Sequence, residues 1–255
     1  MDPEEVQAGQ IVLTAISPFV VGLFRRFDAA RHNWEYATGT PIEFDGLKFI
    51  LTAAHVVPCL PTDLVFIPPP SAGFRISGSL ATGQFSKSQR WDIASCIGNK
   101  ALDLAAITFN NAPSLRFFPL SDVAATPPVG NQVVICGYPF AKSEAVQIED
   151  IVTDLALADF QSATVVDPAS VSNPRPHEFA IDYPSTPGIP DPRGYSGSMV
   201  WYDRANCLTL EELCERVCVA PAGVVTDYVG PDHILKCTRI EMVVEFLKRQ
   251  VLALA

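Results

Sequence analysis

The sequence predicts an all-β fold of barrels or sandwiches, divided into two halves of comparable strand content and closed by a C-terminal helix. Three observations predict it. Short runs rich in Val, Ile and Phe recur along the chain, with Gly, Pro, Asn or Asp between many of them. Helical patterns do not alternate with these runs, as a βαβ architecture would require. The stretch around Pro113 to Pro128, with NNAPS and ATPPVG, has little periodicity and separates residues 1–118 from residues 119–255.

In chain order, the expected strands of the first half are Ile11–Ala15, Val20–Phe24, Lys48–Thr52, Leu64–Ile67, Ile93–Ile97 and Leu104–Phe109. The 22 prolines are spread through turns, with one cluster at Pro68-Pro69-Pro70. The second half supplies Gln132–Cys136, Ser162–Val166, Glu178–Ile181, Ser198–Tyr202, Ala222–Thr226 and Ile234–Cys237. Two helices are expected. Ile240, Val243, Val244, Leu247 and Val251 share one helical face, which predicts a helix over about 239–253 packed on the second half. Thr209 followed by Glu212, just ahead of Leu213, is a capping-box pattern and predicts a short helix over about 210–218, in an insert at about 203–221.

Composition excludes several classes. The chain has 255 residues, 48% of them hydrophobic and only 18% charged, so it is not a disordered polymer and can bury a substantial core. Its formal net charge of −10 disfavours nucleic acid and anionic membrane and weakly favours basic peptides. The apolar run Ile11 to Phe24 is too short to span a bilayer and contains Pro18. The opening MDPEE is acidic where a secretory signal needs positive charge. Seven cysteines, an odd count without such a signal, read as reduced thiols and a cytoplasmic location.

One histidine stands out. FILTAAHVV carries an apolar run into His55, a titratable ring where a core residue is expected. A nucleophile to match it lies in RGYSGSMV, where Ser196 has Gly194 before it and Gly197 after it. Glycine lets the backbone turn tightly there, so that the N–H groups of Gly194 and Ser196 can meet an oxyanion. A serine hydroxyl needs a base, and the base needs an orienting carboxylate. Asp103 at the head of the apolar run in ALDLAAITF fits that third role, with Asp92 and Asp63 as its competitors.

In this order, LTAAHV around His55, DLAAITF from Asp103, GYP at Gly137–Pro139 and GYSGS from Gly194 resemble the chymotrypsin-like (trypsin-fold) serine peptidases, most nearly the bacterial intracellular members of the trypsin-like class. The resemblance runs from about Ile11 to Leu247. It implies two six-stranded antiparallel β-barrels with the active site between them and a C-terminal helix. His55 and Asp103 would sit on the first barrel and Ser196 on the second. The activity implied is endopeptidase cleavage through an acyl-enzyme, with no cofactor and no metal. Its partners would be a protein or peptide substrate, with room for a protein that activates or delivers the enzyme.

The departures from the family pattern matter too. Tyr195 stands where zymogen-activated relatives carry an aspartate, so activation by a cleaved N-terminus is not expected. Met199 replaces the usual proline after the motif. By the resemblance, the substrate cleft would involve Thr226, hydrogen-bonded to the catalytic aspartate, together with Tyr228, Pro190 and Leu235. None is acidic, so a preference for Arg or Lys is not expected. A small or medium apolar side chain is, unless His233 favours an acidic one.

Other features have plainer readings. Cys207, Cys214, Cys218 and Cys237 could be gathered into a four-thiolate zinc site, but their spacing fits no paired-knuckle pattern and they read as packing thiols. His32 and His177 read as surface residues. Two rival functions remain. One is a catalytically inactive trypsin-fold binding or scaffold module. The other is an α/β-hydrolase esterase using Ser196, Asp227 and His233, which lacks the second glycine of a nucleophile elbow because Ser198 occupies that position.

Overall fold

The computed structural model describes residues 3–28, 33–57, 64–67, 74–77, 80–83, 91–121, 125–139, 143–148, 151–156, 159–183, 191–203 and 219–254. Its elements are α1 (Pro3–Ile16), β1 (Val21–Asp28), β2 (Asn33–Phe44), β3 (Leu47–Ala53), β4 (Leu64–Ile67), β5 (Phe74–Ser77), β6 (Leu80–Gly83), β7 (Ile93–Asn99), β8 (Leu104–Phe109), β9 (Phe118–Pro119), β10 (Gln132–Gly137), β11 (Ser143–Ile148), β12 (Ile151–Ala156), β13 (Asp159–Val166), β14 (Glu178–Asp182), β15 (Met199–Asp203), β16 (Val219–Val229), β17 (Ile234–Arg239) and α2 (Ile240–Leu254). Among the described residues no helix is long and apolar enough to cross a membrane.

The second half closes into a barrel of six antiparallel strands in the order β10-β13-β14-β17-β16-β15. Alternation along each strand fills it. Val133 and Ile135, Phe179 and Ile181, Val200, Val225 and Leu235 point into one buried cluster. The opposite faces of the same strands carry Cys136, Met199, Trp201 and Val224 into a second cluster. α2 lies over that outer face, and its Ile240, Val243, Val244, Phe246 and Leu247 are buried there. The predicted stripe is therefore a packing face.

The first half forms a seven-stranded sheet in the order β4-β1-β2-β3-β8-β7, with β9 pairing parallel to β2 at Ile42 and Glu43. No hydrogen bond joins β4 to β7 among the described residues, so the described ladder is open where the second half's is closed. β4 is four residues long and is followed in the sequence by three prolines, which cannot extend a ladder. Leu120 N–H bonds the Glu43 carbonyl of the first half at 2.9 Å, and within the second half Thr126 is held by Glu241 of α2 through N–H and Oγ1 at 2.9 and 2.7 Å.

One expected element is wrong. Ile11–Ala15 is not a strand but the end of α1. Pro3 and the acidic Glu4 and Glu5 suit a helix start. Leu13 and Ile16, three residues apart, lie on one helix face and are buried beside Trp201 and Phe246. That tertiary burial outweighs the β preference of Ile11 and Val12. The short helix expected at 210–218, with Cys207, Cys214 and Cys218, lies outside the described residues, as do His32, Cys59, Asp63 and Pro190. Cys136 and Cys237 are buried and in no disulfide, and burial pushes the Cys96 thiol up to about 11.

Candidate active site

His55 sits in a single 3-10 turn, Ala54–Val56, directly after β3. The turn is set by its neighbour across the sheet. Ala54 N–H donates to the Asp103 carbonyl at 3.0 Å, and His55 N–H donates to Asp103 Oδ1 at 3.0 Å. The ring follows, with Nδ1 2.6 Å from Asp103 Oδ2. An ionised carboxylate only accepts, so the proton of a neutral His55 lies on Nδ1 and its lone pair on Nε2. That is the tautomer a general base requires.

Asp103 is positioned as deliberately. It ends the tight turn between β7 and β8 with a left-handed φ of 51°, which aspartate tolerates better than most residues. Asn99 Oδ1 ties that turn, accepting from Ala101 and Leu102 N–H at 3.0 and 3.2 Å. Thr238 of the second half donates Oγ1–H to the Leu102 carbonyl at 2.7 Å. The competitor Asp92 is occupied elsewhere: its Oδ1 accepts from Asn110 Nδ2 at 2.8 Å.

Ser196 lies in the turn before β15. Ser198 N–H closes the turn onto the Tyr195 carbonyl at 2.7 Å, and Gly197 N–H bonds the Val225 carbonyl at 2.8 Å. Gly194 and Gly197 adopt φ of 103° and 88°, values that glycine reaches without strain. The N–H groups of Gly194 and Ser196 have no hydrogen-bond partner among the described residues, although Gly194 is buried. Unpaired buried amides are uncommon and call for an explanation. Tyr195, in place of the zymogen aspartate, is fully buried and packs edge-on against Tyr183 at 6.0 Å.

His55, Asp103 and Ser196 line one cleft of about 720 Å³. Thr226, Tyr228 and Leu235 line it as well. Thr226 corrects an expectation: its Oγ1 donates to the Lys236 carbonyl at 3.2 Å and not to Asp103. The bulge between Val225 and Asp227 turns it toward β17 instead. Tyr228 is fixed from below, its hydroxyl 3.3 Å from His233 Nδ1. Asp227 Oδ1 accepts from Tyr228 N–H at 2.8 Å, so the Ser196, Asp227 and His233 set of the esterase alternative forms no relay. His177 is only partly exposed, and its Nε2 has no hydrogen bond among the described residues, so the surface reading is too simple. No hydrogen bond from Ser196 Oγ to the His55 ring occurs among the described contacts; such bonds often tighten only when substrate binds.

Sequence reasoning missed the charges of this cleft. Lys100, Arg175, Arg193 and Lys236 line it. Arg193 pairs with Asp191 at 2.9 Å, which holds the Asp191 carboxyl below its usual range, and Arg175 lies 3.8 Å from Glu178. Among the described residues Lys100 has no carboxylate partner and Lys236 Nζ bonds only the Ser172 carbonyl, at 2.9 Å. Nothing in the local sequence around any one of these residues signals the grouping, because they come from separate loops and strands.

The comparisons with known proteins agree with this architecture. The family model described as the trypsin-like peptidase domain matches residues 37–208, which include His55, Asp103 and Ser196. No curated protein matches the sequence. Among solved structures, a human heparin-binding protein is similar with a TM-score of 0.56 at 16% identity, covering 92% of each chain. The active form of the Rv3671c protease from M. tuberculosis is similar with a TM-score of 0.52 at 18% identity, covering 93% of this chain and 82% of that one. At such identities the likeness shows the fold alone.

Proposed function

Because this chain belongs to the family of trypsin-like peptidase domains, we propose that it is a serine endopeptidase working through an acyl-enzyme. Ser196 Oγ attacks the scissile carbonyl. His55 Nε2 takes the serine proton and returns it to the leaving amine. Asp103 holds the ring in its Nδ1–H tautomer and stabilises the cation that forms. The N–H groups of Gly194 and Ser196 receive the oxyanion, which gives their lack of partners a purpose. Water then repeats the sequence on the acyl-enzyme. The observation that carries the reading is the two-point grip of Asp103 on His55, at 3.0 Å through the backbone and 2.6 Å through the ring, in the cleft that also holds Ser196.

Labelling with a fluorophosphonate probe tests it. The wild-type protein labels at Ser196, and Asp103→Asn slows labelling roughly 10⁴-fold, as expected where the wrong tautomer is favoured. A folded wild type that takes no label sinks the proposal. It would leave the scaffold reading.

We propose further that the cleft takes peptides with an acidic side chain near the scissile bond. The net charge of −10 pulls the other way, but charges beyond about 8 Å are screened at physiological salt. Four cations, Lys100, Arg175, Arg193 and Lys236, outnumber the three lining carboxylates, Asp103, Glu178 and Asp227, and Arg193 and Arg175 already face Asp191 and Glu178. Lys100 and Lys236 are left to meet a substrate carboxylate. Two exposed pairs worth about 0.5–1 kcal/mol each amount to roughly tenfold in affinity. Fluorescence anisotropy on Ser196→Ala protein, with peptide pools differing only in Glu, Gln or Lys, is expected to rank Glu first. High salt and Lys100→Gln should flatten that ranking. Equal binding of the Lys pool refutes the charge preference without touching the peptidase reading.

A further inference from the structure

We infer that Thr38 is a positioning residue for the oxyanion site, setting the Gly194–Ser196 turn from the opposite sheet; the inference rests on the peptidase reading above. Thr38 lies on β2 and is fully buried. Every polar group it has is used. Its N–H donates to the Ser196 carbonyl at 2.9 Å. Its Oγ1 donates to the Gly194 carbonyl at 2.9 Å and accepts from Tyr138 N–H at 2.9 Å. Its carbonyl accepts from Thr52 Oγ1–H at 2.8 Å. Three of the four bonds cross from the first half of the chain to the second.

The two carbonyls that Thr38 grips belong to the two residues whose N–H groups would receive the oxyanion. This is more than packing. The turn contains Gly194 and Gly197, which have access to several backbone basins at little cost. A carbonyl fixed in direction restricts the dihedrals on either side of it and so restricts where the adjacent N–H groups point. The hydroxyl is directional as well. Tyr138 N–H already donates to Oγ1, so the Thr38 proton is left for Gly194. The result is a short polarised chain from Tyr138, just after β10, through β2 to the turn. Preorganised donors cost no reorganisation at the moment of reaction, which is where their catalytic value lies.

The inference separates a positioning role from a structural one. Thr38→Val keeps the shape of the side chain but loses both hydroxyl bonds. Thr38→Ser keeps both. Thr52→Val loses one buried bond in the same layer but has no bond to the turn. Under fluorophosphonate labelling, Thr38→Val is expected to lower the maximal inactivation rate about ten- to a hundredfold, less than the loss of a whole oxyanion donor, while the probe's half-saturation concentration stays unchanged. Thr38→Ser should restore the rate to within about threefold of wild type. Thr52→Val should melt earlier yet label within about threefold of wild type. If Thr38→Val does not fold, Thr38→Cys carries the comparison, since its S–H is only a weak donor. Full-rate labelling of Thr38→Val, or equal slowing by Thr52→Val, overturns the positioning role alone. An unlabelled wild type overturns the peptidase reading, and the role of Thr38 with it.

Discussion

Ser196→Ala is expected to reduce peptide hydrolysis by about 10⁶-fold while the protein keeps its fold and its grip on substrate. The size of the loss follows from the division of labour. Without the nucleophile, His55 and Asp103 have nothing to activate, and what remains is the contribution of binding and the oxyanion donors. The intact fold follows from what holds the turn. Ser196 is fixed through its backbone, by Thr38 N–H on its carbonyl at 2.9 Å. Its Oγ has no hydrogen-bond partner among the described residues, so removing it leaves no donor or acceptor stranded. The melting temperature should therefore move by no more than about 2 °C, and circular dichroism with thermal melts checks this beside the activity assay. A large fall in melting temperature would make Ser196 a structural residue. Retained hydrolysis would place the nucleophile elsewhere.

How much of this was legible in the sequence depends on the range of the forces involved. The candidate set could be read because each member carries a local signal: a histidine at the end of the apolar run LTAAHV, a serine between glycines, an aspartate opening LAAITF. The strands of the closed barrel could be read from their Val-, Ile- and Phe-rich runs, whereas its closure was implied only by the family resemblance. The start of the chain was misread because Ile11, Val12 and Leu13 look like a strand in isolation, whereas Pro3, Glu4 and Glu5 already signalled a helix N-terminus. β2 was missed because Gly39 and Pro41 interrupt it. Pro41 falls where β2 leaves β1, whose pairing ends at Gly39, and takes up β9 at Ile42, so its missing N–H leaves no gap in the ladder. Thr38 gives no sequence signal at all. Its partners lie 100 and 156 residues away, and only the docking of two sheets brings them together.

That docking sets the last and most severe expectation, Gly197→Ala. Gly197 has φ 88°, a left-handed conformation that costs an alanine roughly 1–2 kcal/mol. Strain is the smaller part. A Cβ there would lie 2.1 Å from the Thr38 carbonyl oxygen and 2.2 Å from Thr52 Oγ1. The nearer of these is backbone, already fixed between two sheets, and cannot rotate away. The turn must shift, which breaks the Gly197 N–H bond to Val225 and moves the Ser196 carbonyl off Thr38. Overpacking of this kind adds about 1–3 kcal/mol or more. In a domain whose whole stability is about 5–15 kcal/mol, the sum lowers the melting temperature by roughly 10 °C and removes labelling of Ser196 in whatever remains folded. Gly46→Ala is the control. Gly46 has a φ of 77°, and an added Cβ there meets nothing within 4 Å. It carries the strain without the collision and should cost only about 1–2 kcal/mol. If both variants melt alike, conformational strain alone accounts for Gly197. If Gly197→Ala melts far lower and loses its label, the glycine is there because the backbone of the first sheet must reach the nucleophile turn with no side chain between them.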